Sequence, residues 1–142
     1  MIEHQDYLLI PKVQFNDMLN ASNVYKGRAI MTKRYFFLLI EKIDNVAEVT
    51  RSDFYNREYI DMALADMSKV DLITFETDLL SQIPEDLVYP FANMEKFEVN
   101  VGFSIFGGIR VKKRTKKMCS ASIGDVKMRK AIKEFYEKQI KI

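Results

Sequence analysis

The sequence predicts an α+β fold. The form expected is a small antiparallel β-barrel or bent sheet with a C-terminal capping helix and a helical segment inserted at about residues 44–86. Three observations carry this. From Phe97 to Val111 every odd position is apolar or glycine: Phe97, Val99, Val101, Phe103, Ile105, Gly107, Ile109 and Val111. The even positions are mostly polar, Phe106 apart, and a period of two puts one face in a core and the other in water. Residues 50–83 instead repeat apolar side chains at helical spacing, and so does the segment after Ser122. At 142 residues, without an internal repeat or low-complexity linker, the chain is read as a single domain over 1–142.

Taken in order, Asp6 to Phe15 opens with Tyr-Leu-Leu-Ile and meets Pro11, which predicts an entry or edge strand, because proline cannot donate to a central ladder. Residues 15–25 are rich in asparagine and read as a loop or short helical turn, with Met18 and Leu19 plugging one end of the core. Lys26-Gly27-Arg28 reads as a turn. Two strands follow, Ala29–Thr32 and Tyr35–Ile40, about the polar tip Lys33-Arg34. Tyr35–Ile40 lacks alternation, so both of its faces must be covered, one of them by helix.

Thr50-Arg-Ser-Asp53 and Ser68-Lys-Val-Asp71 have the form of capping boxes, with Asp in place of Glu. Ile60, Ala63, Leu64 and Met67 repeat after the first; Leu72, Phe75, Leu79 and Ile83 repeat after the second. The spacing predicts helices over about 52–67 and 69–82, though Val70–Phe75 alone also fits a strand. Pro84 stops the second, and Val88-Tyr-Pro-Phe91 reads as an edge strand. Within the alternating stretch Gly102 and Gly107-Gly108 compete as turn sites, and Gly-Gly is the stronger hairpin signal. Met118–Ala121 makes a last short strand. Ser122-Ile-Gly-Asp125 then reads as a cap opening a helix to about Gln139, with Val126, Ile132, Phe135 and Tyr136 on one side.

Tyr25-Lys-Gly-Arg-Ala-Ile-Met-Thr-Lys-Arg-Tyr-Phe-Phe resembles the segment of the GRAM and bacterial pleckstrin-homology-like family in which glycine precedes an apolar strand, a basic turn and an aromatic strand. Val88-Tyr-Pro-Phe-Ala-Asn-Met-Glu-Lys-Phe-Glu-Val is similar to that family's Pro-aromatic segment leading into a strand. Phe106-Gly-Gly-Ile-Arg-Val and the single terminal helix also match its order. The acidic helical stretch 44–86 departs from the family as an insertion. The resemblance implies a bent seven-stranded barrel closed by the terminal helix. It also implies a scaffold for lipid or protein binding rather than catalysis.

Composition narrows the chemistry. No apolar run approaches the roughly 20 residues of a membrane-spanning helix. The N-terminal residues lack the basic and cleavage-like features of a secretory signal. With Cys119 as the lone cysteine, no internal disulfide forms, and a cytoplasmic location is expected. One histidine (His4) and one cysteine leave no ligand set for zinc. A Cys119–His4 nucleophilic pair is disfavoured, since Cys119 reads as a buried, inert thiol. No catalytic constellation, metal site or cofactor is expected.

Charge is unevenly placed: residues 50–86 carry nine acidic and three basic side chains, residues 110–142 twelve basic and three acidic. The run Arg110-Val-Lys-Lys-Arg-Thr-Lys-Lys117 supplies the one candidate site: Arg110, Lys112, Lys113, Arg114, Lys116 and Lys117. On a strand Arg110, Lys112, Arg114 and Lys116 would point one way. Such a surface suits anionic lipid or protein; the bland alternative is an edge hairpin kept from aggregating by its lysines. The function expected is a non-enzymatic interaction module that binds a protein partner, another copy of itself or an anionic membrane. Nucleic acid is less favoured, because no aromatic side chains interleave with the cations. The alternative is a ligand-binding or enzymatic domain with a pocket between sheet and helices, lined by Tyr35, Phe37, Tyr55, Tyr59 and Phe75.

Overall fold

The computed structural model describes residues 7–17, 20–44, 57–65, 71–83, 85–101, 108–114 and 119–140. Seven strands among them form one antiparallel sheet: β1 (Tyr7–Asp17), β2 (Asn20–Thr32), β3 (Tyr35–Asp44), β4 (Val88–Pro90), β5 (Met94–Val99), β6 (Gly108–Lys113) and β7 (Cys119–Ser122). Their order across the sheet is β4-β3-β2-β1-β7-β6-β5. Helices α1 (Arg57–Ala65) and α2 (Leu72–Gln82) fall between β3 and β4, and α3 (Val126–Phe135) follows β7, running into a π-helical turn, Tyr136–Ile140.

The edge strands β4 and β5 are consecutive in the chain, joined by the short 3-10 turn Phe91–Asn93. Laid flat, seven strands would hold those edges about 29 Å apart. The link from Pro90 to Met94 reaches at most about 14 Å. The sheet must therefore curl. The rings of Phe36 on β3 and Phe97 on β5, five strands apart in the ladder, accordingly lie 5.9 Å apart. No ladder joins β4 to β5, so the bent sheet is observed and the closed barrel is not.

Alternation sorts the strands into two layers. Ile10, Val13, Ala29, Met31, Phe36, Leu38, Tyr89, Ile109, Val111 and Ala121 fill the inside of the curl. Ile132 and Phe135 of α3 join them, and α3 packs on β1 and β5. Ile30, Phe37, Leu39 and Val88 face outward and are covered by Ala63 of α1 and Phe75 and Leu79 of α2. The unbroken apolar run of β3 thus has both faces buried, one of them under helix, as its pattern predicts.

Several local expectations are corrected. Residues 15–17 and 20–25 are strand rather than loop, since β1 and β2 pair from Val13↔Gly27 to Asp17↔Asn20. Met18 and Leu19 lie outside the described residues. Lys26-Gly27-Arg28 is not a turn but the interior of β2, which pairs with both β1 and β3 and bulges at Lys26/Gly27. Pairing on two sides at Asn16 and Gly27 outweighs the weak strand preference of Asn and Gly. β1 is central, not an edge. Pro11 is tolerated because it falls in a bulge between Ile10 and Val13, and pairing to β7 starts only at Gln14.

Residues 72–82 are helix, which removes the strand alternative. The α2 cap is Asp71, whose carboxylate accepts from Thr74 N at 3.1 Å, not Ser68. Likewise Asp125 caps α3 by accepting from Lys127 N at 2.9 Å, while Ser122 belongs to β7. In both boxes the carboxylate three residues on is the shorter route to the orphan N–H groups. Ser68 and the first box, 50–53, lie outside the described residues. The Gly107-Gly108 turn is also corrected: Gly108 starts β6, opposite Ser122, and Gly107 lies outside the described residues. A Cβ on Gly108 would overlap the Ala121 carbonyl oxygen, so close strand approach, not a turn, explains this glycine.

Candidate functional site

Arg110–Lys113 of the basic run lie on β6, flanked by β5 and β7. Odd positions point inward, with Ile109 and Val111 buried, so the even positions share the outer face. Register places them in rows: Lys96 beside Lys112, Glu98 beside Arg110 and Ser120, and Gly108 beside Ser122. Arg110 is exposed. It borders a groove of about 370 Å³ with Glu98, Asn100, Gly108, Ser120 and Ser122. The helices α1 and α2 cover the outer face of β2 and β3 instead, and on this face Glu98, Arg110, Arg114 and Ser122 are exposed.

The other cations of the run differ in placement. Lys112 hydrogen-bonds Glu95 at 2.5 Å. Arg114 is exposed at the end of β6, with its N–H bonded to the Asn93 carbonyl at 3.1 Å. Lys116 and Lys117 lie outside the described residues. Lys113 does not share the outer face. As an odd position it turns inward, only 8% exposed, and its ammonium donates to the Glu85 and Val88 carbonyls at 2.9 and 3.0 Å. It also lies over the Tyr89 ring, 5.0 Å from the centroid. Its position ties the chain before β4 to β6 across the open seam.

Lys96, Glu95 and Glu98 belong to this face and escaped sequence reasoning. Extending the period of two back from Phe97 marks Lys96 and Glu98 as outward, so the signal was present. Lys96 sits 3.8 Å from Glu98. With Arg110, Lys112 and Arg114 the face holds four cations against two carboxylates. The hydrogen bond from Lys112, with its charge, holds the Glu95 carboxyl below the ordinary glutamate range. A folded pKa below the unfolded one means that the pair contributes above about pH 4.3. That contribution is lost as pH falls through the depressed value. An NMR titration is expected to place the Glu95 midpoint below that of the unfolded chain, with Lys112→Gln returning it. A midpoint indifferent to Lys112→Gln would contradict the pairing.

The alternative pocket between sheet and helices is filled where it is described: Ile30, Phe37, Leu39, Phe75 and Leu79 pack there with almost no exposure. Tyr35 and Phe37 rest on each other with centroids 5.4 Å apart. Tyr55 lies outside the described residues. Cys119 is a buried thiol inside the curl. Among the described residues no group of three His, Cys, Asp or Glu side chains gathers as a metal site would. No helix of the described residues is long and apolar enough to cross a membrane. No protein-family model matches the chain, and no curated protein or solved structure matches it significantly.

Proposed function

We propose that the protein is a non-enzymatic interaction module that docks on an anionic membrane surface through the outer face of β5, β6 and β7. The observation that supports this reading is the exposed Arg110 on a polar groove, with Lys96, Lys112 and Arg114 in adjoining rows. Lys116 and Lys117 extend the same run in sequence. Cations near a charged bilayer contribute about 1 kcal/mol each, and the attraction falls off within a Debye length. The resemblance to the GRAM and bacterial pleckstrin-homology-like family points the same way. Nucleic acid fits less well, because the outward rows Lys96, Glu98, Arg110, Lys112, Ser120 and Ser122 offer no ring for a base to stack on.

Co-sedimentation with phosphatidylcholine vesicles, with and without phosphatidylserine or a phosphoinositide, tests this. Retention is expected only on the anionic vesicles and is expected to fade at high salt. The variant R110Q/K112Q/R114Q is expected to partition about 10- to 100-fold less, the lower figure reflecting the Lys112–Glu95 pair. Equal retention on neutral and anionic vesicles, or none on either at low salt, would sink the membrane reading.

A further inference from the structure

The groove on the outer face is built from two rows of the sheet. Glu98, Arg110 and Ser120 stand opposite one another across β5, β6 and β7. In the next row Gly108 stands opposite Ser122, and the Asn100 N–H donates to the Gly108 carbonyl at 2.8 Å. A Cβ on Gly108 would overlap the Ala121 carbonyl oxygen, so β7 approaches too closely there for any side chain. The bare backbone at Gly108 leaves the centre of that row open, between Asn100 and Ser122. The groove measures about 370 Å³, within the range of small-ligand sites.

Both signs of charge line it. Glu98 and Arg110 are exposed and directly opposed, which sets their Cβ atoms about 5 Å apart. Among the described residues no ion pair joins them. The Glu98 carboxylate instead lies 3.8 Å from Lys96, and a pair between two exposed side chains contributes little. Glu98→Gln would strengthen a face that worked by net positive charge alone, because the carboxylate repels the lipids that Arg110 attracts. A carboxylate opposite a guanidinium, with hydroxyls beside them, complements a ligand that carries an ammonium a short carbon chain away from a phosphate.

We propose that this groove is a headgroup site for phosphatidylserine. The Arg110 guanidinium pairs with the phosphodiester, the Glu98 carboxylate accepts from the ammonium, and the Ser120 and Ser122 hydroxyls donate to the serine carboxylate. A lipid is the source of this headgroup, because the groove lies on the outer face of the sheet with Lys96 and Lys112 in the adjoining row. This selectivity rests on the membrane reading. The cations bring the face to the bilayer, and the Glu98–Arg110 row chooses among lipids of equal charge.

Co-sedimentation of the full chain tests it, with phosphatidylcholine vesicles that carry the same mole fraction of either phosphatidylserine or phosphatidylglycerol. Both anionic lipids bear one net negative charge, and the glycerol headgroup has no ammonium. The wild type is expected to partition about threefold to fivefold more strongly onto the serine vesicles. Glu98→Gln, at an exposed position, is expected to raise retention on phosphatidylglycerol and to bring the two lipids level. Arg110→Gln is expected to lower retention on both. Equal retention of the wild type on both lipids overturns the headgroup site and leaves the membrane reading standing, and so does a serine preference that Glu98→Gln keeps in full. Retention on neither lipid removes the membrane reading and the headgroup site with it.

Discussion

Phe36→Ala is expected to lose about 4 kcal/mol of stability, read as a lowered urea midpoint and a collapse of the near-ultraviolet aromatic signal. Phe36 has no exposed surface, and its ring meets Tyr89 at 6.1 Å and Phe97 at 5.9 Å, both edge-on. Phe97 in turn contacts Phe91 at 5.4 Å and Tyr136 at 4.6 Å. This chain of rings runs from β3 past β4 to β5 and the turn after α3. It spans the side of the curl that no ladder closes. Backbone hydrogen bonds hold the other strand pairs together, whereas side-chain packing holds this seam, so the truncation removes the contacts that close it. Against a total of about 5–15 kcal/mol for a domain, the variant sits near its folding threshold. Phe36→Leu, which keeps most of the volume, is expected to cost about 1.5 kcal/mol or less. A loss below that figure for Phe36→Ala would mean that the rings do not carry the seam.

Glu76→Ala is expected to cost about 3 kcal/mol by the same measurement. Glu76 is a helical carboxylate only 2% exposed. One oxygen accepts from the Thr32 hydroxyl at 2.6 Å, and the other from Arg34 Nη2 at 2.5 Å and Nε at 3.2 Å. The Thr32 hydroxyl also accepts from Tyr35 N at 3.1 Å, so the network sets the β2–β3 tip and docks α2 on it together. Truncation leaves the buried Thr32 hydroxyl only a long contact to the Tyr35 carbonyl at 3.5 Å and releases the helix. Arg34 is exposed and contributes little of the loss. A double-mutant cycle with Thr32→Val is expected to show a coupling of at least about 1 kcal/mol, and simple additivity would contradict the clamp.

The acidic charge of residues 50–86 has partners in the N-terminal part of the sheet. Arg28 pairs with Asp61 at 2.9 Å and Arg34 with Glu76. The basic C-terminal part closes pairs of its own, Lys112–Glu95, Lys133–Glu137 and Lys138–Glu134. Arg110 and Arg114 are exposed on the face proposed for docking. The exposed Met62, Ile73 and Leu80 are single apolar residues on α1 and α2, away from that face.

Much of the fold was legible in the sequence, because a side chain's face depends on local period. The alternation around Phe97 marked Phe97, Val99, Ile109 and Val111 as inward, and the unbroken run of β3 foretold a helical layer. Helical spacing placed α2 and α3, with errors only at their caps. The candidate site was legible in part. Arg110 and Lys112 face outward as the pattern implies, while Lys113 obeys the same period in the other direction. The period also marks Lys96 as outward. Arg129 falls on the apolar face of its helix, three residues before Ile132.

Which faces meet which is another matter, because that depends on contacts between distant segments. Proline and asparagine in β1 and β2 argued locally for edge and loop; a bulge accommodates Pro11, and pairing on both sides holds Asn16 in its strand. The strand order that makes β4 and β5 neighbours without a ladder came from the three-residue turn acting on a seven-strand sheet. The Thr32–Glu76 bond spans 44 positions. The Arg129 guanidinium is buried only when α3 is laid against the end of β5, where Nη1 donates to the Asn100 carbonyl at 3.3 Å. Local period chose the inside of each element, and tertiary packing decided which buried polar groups found partners there.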